Sequence, residues 1–113
     1  MPYLAINTSQ EINPAQREKI KAELGALMSI IPTKSEANLM IDFSENHVLY
    51  KAGEKIDGAF IELRLFHKSE LEPKKKYSAG VMDLLASELG IKKENMYLNI
   101  LEFENWGSGG ELH

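Results

Sequence analysis

The sequence predicts an α+β protein in which two strand–helix–strand (βαβ) repeats form a four-stranded mixed sheet with two helices on one face. Segments with strand and helix periodicity follow one another as strand, helix, strand, and this order then repeats. A shift of 61 residues lays the apolar stripe of the first helix over that of the second, and Asn38 over Asn99. The length of 113 residues predicts a single domain over residues 1–113.

The first strand is predicted from Pro2 to Thr8. Leu4 and Ile6 fall on one face and Tyr3 and Ala5 on the other, because successive side chains of a strand point to opposite sides. This alternation indicates that one face of the strand lies in the core.

The first helix is predicted over about residues 13–31. Asn13 suits the N-cap, and Pro14 suits the first turn, where its missing N–H has no helical partner to lose. An apolar stripe follows at helical spacing, formed by Ile20, Leu24, Leu27, Met28 and Ile31. Pro32 ends the helix, and residues 37–43 are predicted to form the second strand.

The second repeat begins with the alternating strand Ala59–Phe66. Residues 47–50, before it, fit either a short strand or part of a loop. Pro73 is predicted to open the second helix and Gly90 to end it in the C-cap position. The buried stripe of that helix is formed by Tyr77, Val81, Leu84, Leu85 and Leu89. Residues 97–103 complete the repeat as the fourth strand.

Each crossover is expected to be right-handed, with the two strands of each repeat parallel. The two helices then cover one face of the sheet and leave the other face open. The open face includes the apolar residues Phe60, Phe66 and Leu101. Because a monomer rarely exposes a large apolar patch, we expect a symmetric oligomer.

The composition excludes several classes of function. Without cysteine the chain has no disulfide scaffold, no cysteine nucleophile and no cysteine-ligated metal centre. The net charge of -4 argues against sequence-independent binding of nucleic acid. No apolar run approaches the roughly 20 residues that span a bilayer, and the N-terminus has no signal-peptide pattern. We therefore expect a cytoplasmic protein that binds neither nucleic acid nor membrane.

The remaining polar motifs carry little chemistry. His47, His67 and His113 lack the spacing of metal ligands, so no metal site is predicted. The stretch Gly107–Gly110 lacks the Lys-Ser/Thr pair of a phosphate-binding loop and is predicted to be a mobile tail.

Pro2 is the candidate catalytic residue. An initiator methionine is normally removed before a small residue, and we expect that removal to leave Pro2 with a free secondary amine. This amine is a good base whose direction is fixed by the ring. In an apolar pocket near cations its protonated form is disfavoured, so its pKa falls towards neutrality.

Three features at matching separations resemble the macrophage migration inhibitory factor branch of the tautomerase superfamily. Pro2 heads a Leu-Ala-Ile-Asn-Thr strand, Lys34 follows the first helix, and Asn95-Met96-Tyr97-Leu98-Asn99 follows the second. The resemblance covers nearly the whole chain, including its length, its order of elements and the Trp-Gly pair near its end.

The resemblance implies a homotrimer whose sheets form a central barrel, with active sites between neighbouring subunits. It implies that Pro2 moves a proton between carbon and oxygen of a 2-oxo acid such as phenylpyruvate, without a cofactor. Lys34 matches the lysine that holds the substrate carboxylate and would also lower the pKa of Pro2. Phe66 falls where a backbone N–H contacts substrate.

Four further residues are assigned by the same resemblance or by their chemistry. Tyr97 and Asn99 match a tyrosine and an asparagine that reach the pocket from an adjoining subunit, and Trp106 supplies an aromatic wall. Arg64 could bind a second carboxylate, because arginine suits bidentate pairing. A structural ion pair of Arg64 with Glu62 or Glu102 is the preferred expectation.

The chain also departs from the family pattern. The family often has Ser-Ile-Gly near the end of the third strand, where this chain has Leu65-Phe66-His67-Lys68. The bulky ring and the added cations alter one wall of the pocket and therefore the expected substrate shape. The thiol motif of some relatives is missing, so their thiol-disulfide activity does not transfer.

The sequence therefore predicts a cofactor-independent keto–enol tautomerase, an isomerase of small 2-oxo acids. Three alternatives stay open. The chain could be a non-catalytic trimeric binding or signalling protein, a hydrolytic enzyme of the same superfamily in which protonated Pro2 acts as an acid, or a structural trimer in which Pro2 is incidental.

Overall fold

A computed structural model describes all residues from Met1 to His113. The chain forms eight strands and two α-helices, joined by loops and three short 3-10 turns. In chain order they are β1 (Pro2–Thr8), α1 (Pro14–Leu27), β2 (Met40–Ser44), β3 (Leu49–Lys51), β4 (Glu54–Ile56), β5 (Ala59–Phe66), α2 (Leu71–Leu89), β6 (Met96–Phe103), β7 (Gly107–Ser108) and β8 (Glu111–Leu112). Neither helix is both long and apolar enough to cross a membrane.

The main sheet has the strand order β2-β1-β5-β6. Strands β1 and β2 are parallel, β5 and β6 are parallel, and the two pairs meet through antiparallel β1 and β5. In that central pair Pro2 lies opposite Leu65, and Tyr3 lies opposite Arg64. The predicted mixed sheet built from two βαβ repeats is confirmed.

Both helices pack on one face of this sheet. The alternating residues Leu4 and Ile6 of β1 and Ile61, Leu63 and Leu65 of β5 are fully buried beneath them. The helices contribute the predicted stripes, in which Leu27 and Leu84 are half-buried and the other positions are buried. The buried side chains belong to a cluster of 17 apolar residues, and Leu27 and Leu84 pack against this cluster.

Helix α1 begins as predicted and ends earlier. Asn13 and Gln16 form a capping box, in which each side chain binds the backbone N–H of the other residue. The α-helix stops at Leu27 and tightens into a 3-10 turn over Met28–Ile30. Ile31 is then extended, because the ring of Pro32 disfavours the helical conformation of the residue before it.

Helix α2 begins earlier than predicted. Its first residue is Leu71 and its N-cap is Glu70, so Pro73 is the third helical residue. Proline is tolerated there because the first N–H groups of a helix have no helical acceptor. Gly90 adopts the left-handed conformation at φ 68° and ends the helix as predicted.

The second predicted strand is displaced towards the C-terminus. Residues Glu36–Asn38 form a 3-10 turn, and the strand begins only at Met40. Asn38 therefore lies in a turn, whereas Asn99 lies in the middle of β6. The two repeats share their order of elements, but these two asparagines do not occupy equivalent places.

Two small hairpins supplement the main sheet. Strands β3 and β4 pair across Ala52 and Gly53, both with positive φ, so a short strand does form from Leu49. Strands β7 and β8 pair across Gly109 and Gly110, also with positive φ. The predicted mobile tail is therefore wrong, because these glycines form a turn that lets the chain pair with itself.

The second face of the main sheet is open in the protomer. One row across it consists of Met40, Tyr3, Arg64 and Leu101. Leu101 is 45% exposed, and Phe60 and Phe66 are half-buried. The predicted uncovered apolar face is thus present.

Candidate active site

A cavity of about 670 Å³ opens where β1 begins. Its walls come from the first residues of the chain, the turn before β2, the end of β5 and the segment after β6. The lining residues are Met1, Pro2, Tyr3, Asn38, Met40, Arg64, Phe103, Asn105, Trp106, Gly107, Ser108 and Gly109. The lining contains no aspartate or glutamate, although the chain carries 17 acidic residues.

Pro2 is buried at the wall of this cavity. It is the first residue of a central strand. Proline lacks a backbone N–H, and at this first position the sheet loses no hydrogen bond through that lack. Leu65 of β5 lies opposite to it. The sheet therefore fixes both the position and the direction of the proline ring.

The surroundings of Pro2 disfavour a positive charge on an amine. The amino group of Met1, one residue away, has a pKa below its ordinary value of 8.0. Burial is the larger cause and the positive charge of Lys34 is the second, since each makes the protonated amine less favourable. This region of the protein therefore shifts a terminal amine towards its neutral form.

Lys34 is held beside the cavity rather than in its wall. Its half-buried ammonium group donates a hydrogen bond to the carbonyl oxygen of Phe66 at 2.7 Å. This bond connects the loop after α1 to the last residue of β5, which follows Leu65, the residue opposite Pro2. Lys34 thus contributes its charge to the site, but it does not line the cavity of the protomer.

Phe66 likewise borders the cavity without lining it. Its ring stacks on that of His67, with centroids 3.7 Å apart. His67 has φ 72° and donates its backbone N–H to the Phe103 carbonyl at 2.8 Å. His67 is therefore in the left-handed conformation that glycine favours.

Arg64 lines the cavity and has no carboxylate partner. No acidic oxygen lies within 4.0 Å of its guanidinium, so the expected ion pair with Glu62 or Glu102 is wrong. Glu102 lies on the helix-covered face, where Lys74 binds it at 3.1 Å. Arg64 lies on the open face, above the ring of Tyr3 at 5.7 Å from its centroid.

Trp106 forms an aromatic wall of the cavity. Its ring centroid lies 6.1 Å from that of Phe103 and 6.5 Å from that of Phe66. The backbone of Trp106 is paired with that of His113 by two hydrogen bonds of 3.2 and 2.8 Å. The C-terminal hairpin therefore holds the indole in place.

Tyr97 and Asn99 lie away from this cavity. They are opposite Phe60 and Glu62 of β5, whereas the cavity lies at the end of the sheet that contains Arg64. Tyr97 is 59% exposed and faces the ammonium group of Lys51 at 5.1 Å. Within one protomer the structure thus joins Pro2, Arg64 and Trp106, with Lys34 and Phe66 at the border.

Several lining residues were not among the predicted site residues. Tyr3 could have been found from its place next to Pro2 in β1. Asn38, Asn105 and Ser108 could not, because only the turn before β2 and the C-terminal hairpin bring them to the cavity.

Comparison with solved structures identifies the fold. MIF2 of Leishmania major superimposes with a TM-score of 0.92 at 19% identity, covering 100% of this chain and 97% of the other. The MIF-like protein of Entamoeba histolytica gives 0.85 at 23% identity, covering 99% and 98%. A native fused 4-OT gives 0.83 at 18% identity, covering 96% and 94%.

No protein-family model and no curated protein sequence matches the chain. The similarity to the solved structures extends over nearly the full length of both chains in each case. The chain has the fold of the MIF and 4-OT structures, and the resemblance predicted from the sequence is confirmed at the level of the fold.

Proposed function

We propose that the protein is a cofactor-independent keto–enol tautomerase of small 2-oxo acids such as phenylpyruvate, with Pro2 as its base. The observation that carries this proposal is the buried position of Pro2 at a cavity whose surroundings lower the pKa of a terminal amine. Removal of Met1 would turn the Pro2 nitrogen from an amide into such an amine. A neutral amine is then available near physiological pH to accept a proton.

The proposed reaction is a proton transfer between two atoms of the substrate. The Pro2 nitrogen removes a proton from the carbon next to the ketone, and the electrons of that C–H bond form an enolate. The protonated Pro2 then returns the proton to the enolate oxygen, so the enol leaves and the amine is neutral again. The reverse sequence converts the enol to the ketone.

The charge of the enolate must be stabilised as it forms. We propose that Lys34 holds the substrate carboxylate and that its charge thereby stabilises the enolate. Its ammonium group lies beside the cavity and has N–H bonds to spare beyond the one to Phe66. The backbone N–H of Phe66 is proposed as a further donor. Trp106 provides an apolar surface for the substrate side chain.

The site is proposed to be completed by a homotrimer. The open face of the sheet exposes Met40, Leu101 and Phe103, which further copies would cover, and strands β2 and β6 are the edges of the sheet. Tyr97 and Asn99 are exposed on this face and would reach the cavity of a neighbouring copy.

A protein without cysteine suits a reducing compartment, and we propose the cytoplasm.

The decisive test is the enol–keto conversion of phenylpyruvate, followed by ultraviolet absorbance. Intact mass is measured first, because only chains that begin at Pro2 carry the proposed base. The matched control is the same chain with Met1 retained, whose Pro2 nitrogen is an amide. We expect activity in the processed chain and none above background in the control.

Two outcomes contradict the proposal. Processed protein without activity would favour a binding role for the trimer. Pro2→Gly with an undiminished rate would exclude the proline base, since glycine keeps a free amine but loses the ring that directs it.

Dialysis against a chelator should leave the rate unchanged, and sedimentation at the working concentration should give three times the protomer mass of 12.7 kDa.

A further inference from the structure

His67, the residue directly after β5, has a backbone conformation that few residues other than glycine adopt. Its φ of 72° lies in the left-handed region, which is unfavourable for a residue with a side chain. Such a conformation persists only where neighbouring contacts hold it, and it is frequent at functional sites. The contacts of His67 therefore indicate what this conformation achieves.

The left-handed turn brings the ring of His67 onto the ring of Phe66. In a strand that continued, the two successive side chains would point to opposite faces of the sheet. Here the ring centroids are instead 3.7 Å apart, and the ring planes are inclined by only 27°. The stacked pair thus depends on the positive φ of His67.

The peptide unit between Phe66 and His67 is held at both of its polar atoms. Its carbonyl oxygen, on Phe66, accepts the hydrogen bond from the Lys34 ammonium at 2.7 Å. Its N–H, on His67, donates to the carbonyl oxygen of Phe103 at 2.8 Å. Together with the stacked rings, these bonds fix Phe66 from its backbone and from its side chain.

Phe66 connects this arrangement to the wall of the cavity. The centroid of the Trp106 ring lies 6.5 Å from that of Phe66 and 6.1 Å from that of Phe103, which are usual separations for aromatic pairs. Trp106 and Phe103 line the cavity, whereas Phe66 and the exposed His67 do not. His67 therefore acts on the cavity through Phe66, without forming part of its wall.

We propose that His67 is a positioning residue, whose stacked ring and left-handed backbone hold Phe66 in the orientation that the reaction requires. This inference rests on the proposed function, in which the Phe66 N–H donates to the substrate and the Phe66 carbonyl anchors Lys34. A donor that is already oriented does not have to reorganise when the enolate charge forms. Loss of this orientation should therefore slow the chemical step more than it weakens substrate binding.

Variants of the processed chain separate the ring of His67 from its backbone conformation. His67→Gly and His67→Asn both suit a positive φ but lack the aromatic ring, whereas His67→Phe keeps a ring and suits the backbone less well. For phenylpyruvate we expect kcat to fall about tenfold in His67→Gly and His67→Asn, with KM within about twofold of the wild type. His67→Phe should keep most of the rate.

Thermal unfolding of the same variants distinguishes positioning from a general loss of stability. The thermal midpoint should be higher for His67→Gly than for His67→Phe, because the backbone conformation favours glycine. The expected order of the rates is the reverse. Rates that instead follow the thermal midpoints would overturn the proposal, as would a wild-type rate in His67→Gly and His67→Asn.

Asn46→Gly is the matched control, because Asn46 is also exposed and has a positive φ of 59°. It follows the last residue of β2, whereas Met40, the first residue of that strand, lines the cavity. Asn46→Gly should leave kcat unchanged. An equal fall of kcat in this control, or in His67→Phe, would mean that the stacked ring does not carry the effect.

A measurement without substrate separates this proposal from the proposed activity. Relaxation of the ¹⁵N nucleus gives the order parameter of the Phe66 N–H and needs no turnover. We expect about 0.85, the value of a rigid backbone, in the wild type and in His67→Phe, and a fall towards about 0.6 in His67→Gly and His67→Asn. An order parameter that is the same in all four proteins would overturn the proposal.

The two measurements together show which of the two proposals fails. If the processed wild type has no tautomerase activity but the Phe66 N–H becomes mobile in His67→Gly, the proposed function is wrong and His67 still holds Phe66. If the wild type is active and His67→Gly keeps both its rate and a rigid Phe66 N–H, the role of His67 is wrong and the proposed function stands. A mobile Phe66 N–H with an unchanged rate also overturns the role of His67, because the reaction would not depend on that orientation.

Discussion

The two faces of the main sheet are made by the same strands and have opposite characters. On the helix-covered face Leu63 is fully buried, and on the open face the neighbouring Arg64 is exposed. Leu101 of β6, directly opposite Arg64, is 45% exposed. The first face is specified by the need to bury apolar area, whereas the second keeps residues that the folding of one protomer does not require. Such residues are free to serve assembly and binding.

The largest expected effect comes from a matched pair of leucines, one on each face. Leu63→Ala should lower the free energy of unfolding by about 2–5 kcal/mol, because it removes fully buried methyl groups and leaves a cavity. Leu101→Ala should cost less than half as much in the protomer. Denaturant unfolding of both variants at one protomer concentration measures the difference, and equal losses would mean that the open face is as buried as the core.

Lys34→Ala tests the end of the sheet at the cavity, where we expect a loss of activity without a matching loss of stability. We expect kcat/KM for phenylpyruvate to fall about tenfold to a hundredfold, the range of a hydrogen bond to a charged group. The acidic limb of the pH–rate profile should also move to higher pH, because a nearby positive charge that lowers the pKa of an amine has been removed. A fall in activity that only follows a loss of folded protein in thermal unfolding would contradict this assignment.

Tyr77→Phe tests a buried polar group among the apolar side chains of the helix-covered face. The hydroxyl of Tyr77 is buried and no group of the protein binds it, and burial also raises its pKa. Because a buried polar group without a partner is unfavourable, the variant should be more stable by about 1 kcal/mol. Equilibrium unfolding near neutral pH checks this. A loss of stability would show that the hydroxyl has a partner in solution.

The smallest effect is expected at Glu102, a polar residue near the end of β6 on the helix-covered face. Partial burial by itself raises the pKa of Glu102, but hydrogen bonds from the Ser69 N–H and the Lys74 ammonium lower it overall. Glu102→Gln should therefore cost at most about 1 kcal/mol near neutral pH. Since the folded pKa is lowered, this stability is present above the unfolded pKa and is lost as pH falls through the folded one.

Urea titrations of the wild type and Glu102→Gln at several pH values measure that dependence. The difference in unfolding free energy between the two proteins should shrink on acidification. A difference that grows as the pH falls would have the wrong sign for a stabilised carboxylate.

The sequence was sufficient for the covered face and only partly sufficient for the site. The alternation around Leu63 predicted its burial, because strand periodicity follows directly from the order of residues. The partner of Arg64 could not be predicted in the same way. Glu102 is excluded by the register of β5 and β6, which places Leu101 rather than Glu102 opposite Arg64. Register depends on long-range packing, which a single sequence does not display.

The C-terminal hairpin shows the same limit. Three glycines around Ser108 suggested a mobile segment, since the backbone of glycine has more conformational freedom to lose on folding than that of other residues. The structure instead pairs Trp106 with His113 and brings Asn105 and Ser108 to the cavity. Trp106 lines the cavity, and the turn that holds it depends on φ angles that the sequence does not fix.

The proposed mechanism requires the processed Pro2 nitrogen to be a neutral base in this cavity. Its pKa can be measured directly by nitrogen NMR on protein labelled with ¹⁵N-proline, with a short peptide beginning Pro-Tyr-Leu as the reference. We expect a pKa well below that of the peptide, and a rise towards the peptide value in Lys34→Ala. A pKa equal to that of the peptide and unchanged by Lys34→Ala would contradict it.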